Sequence, residues 1–269
     1  MRTLVHLSDL HFGRVDAAIL DPLAALVSGL APDVVVVSGD LTQRARAAEF
    51  EQASAFLERL PQPRIVVPGN HDVPLHRVWE RFLSPLGKYR RHIGPDLEPA
   101  FVDDEIAVIG INTARSLTFK NGRINASQVE AIRRRLAPLD AALTKVVVTH
   151  HPFDLPHEPG NGKLVGRARL AMEAFAACDV DLLLAGHFHT SHAGNTSSRY
   201  EFPGYAALVV QAGTATSTRG RGESNSFNVL RIAWGEIAVQ RHVWQPDVQA
   251  FALERTEHFQ RKDARWIER

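Results

Sequence analysis

The chain has 269 residues, 45% of them apolar, which is enough for a large domain with a full hydrophobic core and excludes an intrinsically disordered chain. With 31 Lys and Arg against 30 Asp and Glu, the formal net charge is +1, which argues against a nucleic-acid binder that works by bulk charge. The single cysteine, Cys178, excludes an internal disulfide, and no apolar run has the length of a signal-peptide core or a membrane span, so we expect a cytoplasmic protein without a membrane segment.

The first quarter of the chain alternates apolar runs with amphipathic segments. Strands are predicted at residues 4–7, 34–37 and 65–67, and helices over residues 15–30 and 45–60 lie between them. The alternation of strand and helix predicts a mainly parallel sheet with helices packed outside it.

A polar loop follows each of these three strands. The side chains that these loops present are Asp9 and His11 after the first strand, Asp40 after the second, and Asn70, His71 and Asp72 after the third. Asp9 and His11 are two residues apart, so an extended backbone would point both in the same direction, as a metal site requires. Taken alone, each loop is also compatible with an ordinary turn after a strand.

The segment at about 73–100 interrupts the alternation of strand and helix. It contains four prolines together with basic and aromatic side chains, among them Trp79 and Tyr89. A long insertion directly after a candidate site is typical of a lid or a specificity loop. A solvated surface excursion that contains a short helix is the alternative.

Three further strands are predicted in the middle of the chain, at residues 106–111, 146–148 and 182–184. Histidines follow two of these strands: His150 follows the second, and His187 and His189 follow the third. The pair after the third strand has the same spacing as Asp9 and His11.

Two helices accompany these strands. A capping box at Ser127 and Glu130 is predicted to begin a helix over which the side chains of Val129, Ile132, Leu136 and Leu139 point inward. A second helix is predicted at residues 167–177. Strands at 206–212, 227–234 and 236–244, with a loop of Gly, Ser, Thr and Arg at 213–228, predict a second, partly antiparallel sheet.

The candidate site combines the polar side chains that follow the buried strands. They are Asp9, His11, Asp40, Asn70, His150, His187 and His189. Because the carboxyl ends of parallel strands share one edge of a sheet, these side chains can converge. Their number exceeds the need of one catalytic ion and fits two ions about 3.5–4 Å apart that share a carboxylate. Oxygen and nitrogen ligands without thiolate suit Mn, Fe, Zn or Co.

These motifs, in this order, resemble the calcineurin-like metallophosphoesterase superfamily, and within it they are similar to bacterial class III cyclic nucleotide phosphodiesterases. The resemblance covers the chain from Asp9 to His189. It implies a four-layer αββα sandwich of two mixed sheets flanked by helices, in a single domain over residues 1–269. It also implies two metal sites: Asp9, His11, Asp40 and His189 at one, and Asp40, Asn70, His150 and His187 at the other, with Asp40 bridging.

The resemblance further implies a metal-dependent hydrolase of a small-molecule phosphoester, in which the two ions generate a hydroxide for in-line attack. His71 would act as the acid or charge stabiliser, and Asp72 would orient His71. The alternatives are a phosphomonoesterase, a nuclease and a non-enzymatic interaction module on the same fold. The complete ligand set argues against the module, and the balanced charge argues against the nuclease.

A preference for phosphodiesters is predicted from two features. Ser/Thr phosphatases of the superfamily usually carry Glu, not Asp, after the Asn-His pair. In addition, Trp79 and Tyr89 could cover the second organic substituent, and some of the arginines of the insertion, Arg77, Arg81, Arg90 and Arg91, could offset the charge. The sequence leaves open the physiological substrate, the native metals, the oligomeric state, with a homodimer among the alternatives, and the roles of His151, His192 and Asn112.

Overall fold

The computed structural model describes residues 1–155, 164–196, 199–218 and 222–269. Part of the predicted loop at 213–228 therefore lies outside the described residues. The strands in the first half of the chain are β1 (Arg2–Leu7), β2 (Val34–Ser38), β3 (Arg64–Val67), β4 (Ala100–Val102), β5 (Ile106–Gly110) and β6 (Thr144–Val148). The strands in the second half are β7 (Leu182–Ala185), β8 (His192–Asn195), β9 (Tyr205–Ala206), β10 (Leu208–Gln211), β11 (Ser226–Ala233), β12 (Glu236–Gln245), β13 (Ala250–Lys262) and β14 (Ala264–Glu268).

The strands that the structure describes form two mixed sheets. One has the order β3-β2-β1-β11-β12-β13-β14-β9, and the other has the order β4-β5-β6-β7-β10-β8. Strands β11 to β14 thus extend the first sheet through the antiparallel pairing of β1 with β11, in which Val5 lies opposite Val229. The prediction of a second sheet built from the C-terminal strands is wrong for those at 227–234 and 236–244, which lie in the first sheet. Strand β10, within the predicted strand at 206–212, joins the middle strands of the chain in the second sheet, which is partly antiparallel as predicted.

The six helices among the described residues are α1 (Ala17–Gly29), α2 (Ala47–Leu57), α3 (Val78–Leu83), α4 (Gly87–His92), α5 (Ala126–Leu136) and α6 (Ala168–Ala177). The helix at α5 starts earlier than predicted. Its capping box joins Asn125 and Gln128: Asn125 Oδ1 accepts from the Gln128 amide at 2.8 Å, and Gln128 Oε1 accepts from the Asn125 amide at 3.3 Å. Ser127 donates to Asn125 Oδ1 instead of capping, because it already lies inside the first turn.

Alternation of side chains along the strands explains the four layers. Leu4 and Val36 face the other sheet and join an apolar core between the sheets that includes Val148. Their neighbours in the chain, such as Val5, point away from that core and pack with α1 and α2. The opposite face of the second sheet packs in the same way against α5 and α6, through residues such as Phe175. The predicted αββα fold class is confirmed, whereas the single domain over 1–269 stays a prediction.

The insertion at 73–100 holds the two short helices α3 and α4 where the sequence analysis allowed one. Tyr89 is buried, and its hydroxyl donates to the Val66 carbonyl at 2.9 Å. This contact fastens α4 to the strand that precedes the polar loop of Asn70. No helix among the described residues combines the length and the apolar character that crossing a bilayer requires.

Candidate metal centre

The polar loops of both sheets meet at one end of the sandwich. The loops after β1, β2 and β3 belong to the first sheet, and those after β6 and β7 belong to the second. The amide of His187, after β7, donates to Asp9 Oδ2 at 3.0 Å, so the two sheets are tied together at this end. The sequence predicted convergence along one edge of one parallel sheet. That expectation is wrong in detail, because the site forms between two stacked sheets.

The backbone is left-handed at five of the seven candidate ligands. The φ angles are 53° at Asp9, 50° at His11, 52° at Asp40, 77° at His187 and 61° at His189. The expected extended backbone between Asp9 and His11 is therefore absent from the structure. Non-glycine residues rarely adopt positive φ, and such strain collects at functional sites where the surrounding structure enforces it. The two side chains converge because the chain turns at each of them.

Two glycines permit the close approach of neighbouring loops. A Cβ on Gly69 would lie 2.1 Å from Asp40 Oδ1, and a Cβ on Gly186 would lie 1.8 Å from Ser8 Oγ. Both distances are far inside van der Waals contact, so only glycine fits at these positions. The glycines of the sequence motifs thus allow neighbouring loops to pack against Asp40 and Asp9.

The first group of candidate ligands consists of Asp9, His11 and His189, all buried. Asp9 Oδ2 accepts hydrogen bonds from Ser8 Oγ at 2.6 Å and from the His187 amide. Asp9 Oδ1 is buried and accepts no hydrogen bond from the residues that the structure describes. It lies 3.5 Å from Nε2 of His11 and 3.6 Å from Nε2 of His189.

The second group lies around His150. Its Nδ1 is 2.8 Å from the Ser38 carbonyl, so Nδ1 carries the proton and Nε2 points at the other polar groups. Nε2 is 3.3 Å from Asp40 Oδ2, 3.2 Å from Asn70 Oδ1 and 3.3 Å from His187 Nδ1. A histidine that binds a metal commonly donates its other ring nitrogen to a carbonyl in this way.

Asp40 connects the two groups. Its Oδ1 accepts from the His71 amide at 2.8 Å. Its Oδ2 lies 3.3 Å from His150 Nε2 and 3.8 Å from His11 Nε2, one histidine from each group. A carboxylate that faces both groups is what a pair of ions requires of a shared ligand.

The electrostatics of the cluster favour ionised carboxylates. Burial opposes the charge on Asp40, but the charge of His150 and a hydrogen bond with it hold the pKa of Asp40 well below its usual value. In return, Asp40 raises the pKa of His150 to about 9 against the effect of burial. Burial, followed by the charge of His150, lowers the pKa of His187 to about 4. The site thus pairs buried anions with imidazoles, as metal sites do.

The contacts of His71 and Asp72 differ from the expected ones. The ring of His71 is bound at Nδ1 to the Gln43 carbonyl, 2.9 Å away, and not to Asp72. Asp72 is buried and accepts from the amides of Thr42 at 2.9 Å and Gly69 at 2.9 Å, and from that of Leu41 at 3.2 Å. Asp72 therefore braces the loops that carry Asp40 and His71, and the direct orientation of the His71 ring falls to Gln43.

Sequence reasoning missed the residues that support the first group from a distant segment. Thr214 Oγ1 donates to the Asp9 carbonyl at 2.7 Å, and Thr216 Oγ1 donates to the Leu10 carbonyl at 2.7 Å. The alternation of threonines at 214, 216 and 218 is visible in the sequence, but nothing local connects it to Asp9. These hydrogen bonds hold the left-handed turns that aim Asp9 and His11.

The sequence left open the roles of His151, His192 and Asn112, and the structure places them in three different surroundings. His151 is buried, its Nδ1 is 2.8 Å from Thr113 Oγ1, and it forms a third possible metal-holding group with His150 and His187. His192 lies in β8 opposite Gln211. Asn112 Oδ1 accepts from the Ala114 amide at 2.9 Å, which is an Asx turn.

The insertion differs from the predicted lid at two side chains. Tyr89 and Arg81 are buried, and Arg81 Nη1 donates to the Pro74 carbonyl at 3.0 Å. Neither side chain can contact a substrate, so this part of the diester argument is wrong. Trp79 is 80% exposed and remains available.

The spacing of the donor atoms fits metal ions. Two atoms that each lie about 2.1 Å from one tetrahedral ion are roughly 3.4 Å apart. The separations between donor atoms of the cluster run from 3.2 Å for His150 and Asn70 to 3.8 Å for His11 and Asp40. The buried and unsatisfied Asp9 Oδ1 fits the same reading, since a cation would satisfy it.

The chain is similar to a known protein family and to several known proteins. The model of the calcineurin-like phosphoesterase family matches residues 2–191. A probable cyclic nucleotide phosphodiesterase of Synechococcus is 26% identical over 160 residues, which are 56% of this chain and 58% of that protein. A cAMP/cGMP dual specificity phosphodiesterase of Mycobacterium tuberculosis is 27% identical over 259 residues, 85% of this chain and 75% of that protein. The chain thus spans 58% of the length of the first of these relatives and 75% of the second.

Solved structures show the same fold. A purple acid phosphatase from yellow lupin seeds has a TM-score of 0.68 at 11% identity, covering 90% of this chain and 51% of that one. A dimetal phosphatase from Danio rerio has a TM-score of 0.63 at 15% identity, covering 89% of this chain and 95% of that one.

Proposed function

The chain belongs to the calcineurin-like phosphoesterase family, and from that premise we propose that it is a dinuclear metal-dependent hydrolase of small phosphodiesters. The observation that carries the proposal is the position of Asp40 Oδ2, 3.3 Å from His150 Nε2 and 3.8 Å from His11 Nε2. One carboxylate oxygen that faces two sets of buried nitrogen and oxygen atoms supports a shared ligand for two ions.

The residues that would hold the ions are those of the two groups. Asp9, His11 and His189 would serve one ion, Asn70, His150 and His187 the other, and Asp40 both. Nitrogen and oxygen donors of this kind suit Mn, Fe, Zn or Co. When bound, such ions supply an activated water near neutral pH and offset the charge of the phosphoryl oxygens.

The chain itself would handle the proton of the leaving group. Nδ1 of His71 donates to the Gln43 carbonyl, which leaves Nε2 as the nitrogen that exchanges a proton with a substrate. Asp40 fixes the backbone of His71 through its amide, so the ring is positioned relative to the shared carboxylate. We propose that His71 protonates the departing alkoxide or stabilises its charge.

A diester is the proposed substrate class because two relatives named as cyclic nucleotide phosphodiesterases match this chain. A phosphomonoesterase is the second candidate, since two of the solved structures with the same fold are named phosphatases. The single cysteine supports a reducing, cytoplasmic location.

Substrate class can be tested on purified protein reconstituted with Mn or Zn. The values of kcat/KM for bis-nitrophenyl phosphate and for a cyclic nucleotide should exceed that for nitrophenyl phosphate. An enzyme with its full metal content that hydrolyses the monoester faster than every diester offered would contradict the diester proposal while leaving the hydrolase proposal intact.

The role of His71 can be tested separately. His71→Ala should keep its metal and lose ~10²–10⁴-fold in kcat, the usual contribution of a general acid or base. The loss should be smaller for nitrophenolate leaving groups, which need little protonation. His258→Ala, in which an exposed strand histidine is removed, serves as the matched control and should leave kcat unchanged. Loss of metal from His71→Ala would show that His71 is a ligand and not an acid.

A further inference from the structure

Helix α3 exposes its apolar side chains and buries a charged one, which is the reverse of the usual distribution. Its four apolar side chains, Val78, Trp79, Phe82 and Leu83, are 60%, 80%, 52% and 79% exposed. They occupy one face, because residues spaced by four lie next to each other on a helix. Arg81, on the other side of α3, is only 3% exposed. The apolar face of α3 therefore points to the solvent.

A second segment extends this apolar surface. Arg81 Nη2 donates to the Thr118 carbonyl at 3.1 Å, and its guanidinium lies 4.3 Å from the centre of the Phe119 ring. Phe119 and Leu117 are themselves 60% and 81% exposed. The buried arginine thus joins α3 to the loop at 117–119. We call the six exposed apolar residues of α3 and this loop, with the basic residues of segments 74–94 and 113–124, the basic apolar face.

The charge of the two segments is strongly positive. Together they contain eight Lys and Arg and one acidic residue, Glu80, whereas the rest of the chain contains 23 Lys and Arg and 29 acidic residues. Glu80 is already paired with Arg77 at 2.7 Å and with Lys88. Arg90, Arg91 and Lys120 are exposed. The partner of this face must therefore be both apolar and anionic.

The face stands beside the candidate metal centre. Segment 74–94 begins two residues after Asp72. The loop at 113–124 is anchored at His151, where a Cβ on Gly122 would lie 2.2 Å from the ring and Thr113 binds Nδ1. Whatever covers the face would therefore lie close to the candidate metal centre.

A second copy of the chain does not fit this surface. A symmetric contact between two such faces would bring the same excess of positive charge together from both copies, which is strongly repulsive.

We propose that the basic apolar face binds the surface of a bilayer that contains anionic phospholipids. Lys and Arg near such a surface contribute attraction to the headgroups, and exposed Trp, Phe and Leu enter the boundary between headgroups and acyl chains. This proposal departs from the prediction, made from the sequence, of no membrane partner.

Vesicle binding of the full chain tests this proposal. Vesicles of phosphatidylglycerol with phosphatidylcholine should sediment the protein, and vesicles of phosphatidylcholine alone should not. Trp79→Ala should weaken binding roughly tenfold, and Trp234→Ala, which removes another exposed tryptophan, serves as the matched control and should not. Brominated lipids should quench the fluorescence of wild type and Trp234→Ala but not of Trp79→Ala.

The contribution of the basic residues to vesicle binding is tested with two double variants, one on the face and one as its matched control. Arg90→Gln with Arg91→Gln should weaken binding roughly fivefold for each charge removed, and added salt should weaken it further. Arg133→Gln with Arg134→Gln, exposed arginines on α5, should have no effect. Equal losses in the control variants, or no binding to anionic vesicles at low salt, would overturn the proposal. Soluble polyglutamate that shifts Trp79 fluorescence when anionic vesicles do not would identify an acidic protein partner and overturn it as well.

Discussion

The candidate metal centre and the basic apolar face depart from the usual distribution of residues in opposite ways. At the metal centre, charged and polar side chains such as Asp9, His11 and His150 are fully buried. On the face, large apolar side chains such as Trp79 and Leu117 are largely exposed. Buried polar groups and exposed apolar patches are the informative exceptions in a folded chain, because both cost free energy unless something else binds them.

The two regions also differ in how they are held. The metal centre is braced by hydrogen bonds between distant segments, such as those from Thr214 Oγ1 to the Asp9 carbonyl and from the Leu41 amide to Asp72 Oδ2. On the face, Arg81 joins α3 to the loop at 117–119, and the apolar side chains are largely exposed. The difference teaches that the metal centre is preorganised by the whole fold, whereas the face is a local surface. Changes at the two regions should therefore have different consequences.

The largest effect should come from removing the shared carboxylate. Asp40→Ala should lower the metal content from about two ions per chain to nearly none and reduce kcat by ~10³-fold or more, since both groups lose a ligand. Elemental analysis and the diester assay measure this. Asp247→Ala, an exposed aspartate near the end of β12, is the control. If Asp40→Ala kept its full metal content and activity, the two-ion reading would be wrong.

A smaller effect is expected from the threonines that brace Asp9. Thr214→Val keeps the shape but removes the hydroxyl that donates to the Asp9 carbonyl. Metal affinity should fall by ~10–100-fold, the usual effect of a supporting hydrogen bond at a metal site. Thr214→Ser should restore affinity, because it restores the donor. If metal affinity changed with protein stability and not with the presence of the hydroxyl, Thr214 would have no positioning role.

The buried His6 gives a pH dependence that belongs to the fold and not to the face. Burial lowers the pKa of His6 from 6.5 to about 3, and its Nε2 lies 2.8 Å from Ser38 Oγ. Between these two pKa values only the unfolded chain binds the proton, so the free energy of unfolding falls as pH is lowered from 6.5 towards 3, by up to about 1.4 kcal/mol per pH unit. Denaturant titrations at several pH values should show a shallower fall for His6→Gln. Identical slopes would contradict this assignment.

The smallest effect is expected on the face. Trp79→Ser with Leu83→Ser should change the free energy of unfolding by no more than ~0.5 kcal/mol, because exposed side chains contribute little to folding. The metal content should change by no more than a few per cent. Trp266→Ala, at a tryptophan that is 1% exposed, should cost ~3–5 kcal/mol in the same denaturation experiment. A large loss of stability from the pair on α3 would mean that these side chains are part of the core.

Local pattern in the sequence was sufficient for most elements. Runs such as those at 34–37 and 146–148 are apolar throughout because both faces of these strands are covered, and the polar residues after them are visible without any structure. By contrast, β13 escaped prediction because most of its side chains are exposed, so no apolar period marks it. The motifs and the fold class they resemble were therefore readable from the sequence.

The tertiary structure decided what depends on distant partners. The sheet to which each strand belongs, the left-handed turns at Asp9 and Asp40, the bracing by Thr214 and the burial of Arg81 all follow from contacts between separate segments. The hydrogen bond from Thr214 to Asp9 spans 205 positions of the chain. A local pattern reports which face of an element is apolar, but it carries no information on which remote group will satisfy a carbonyl or a guanidinium, and that choice is made only when the packed sheets bring the two together.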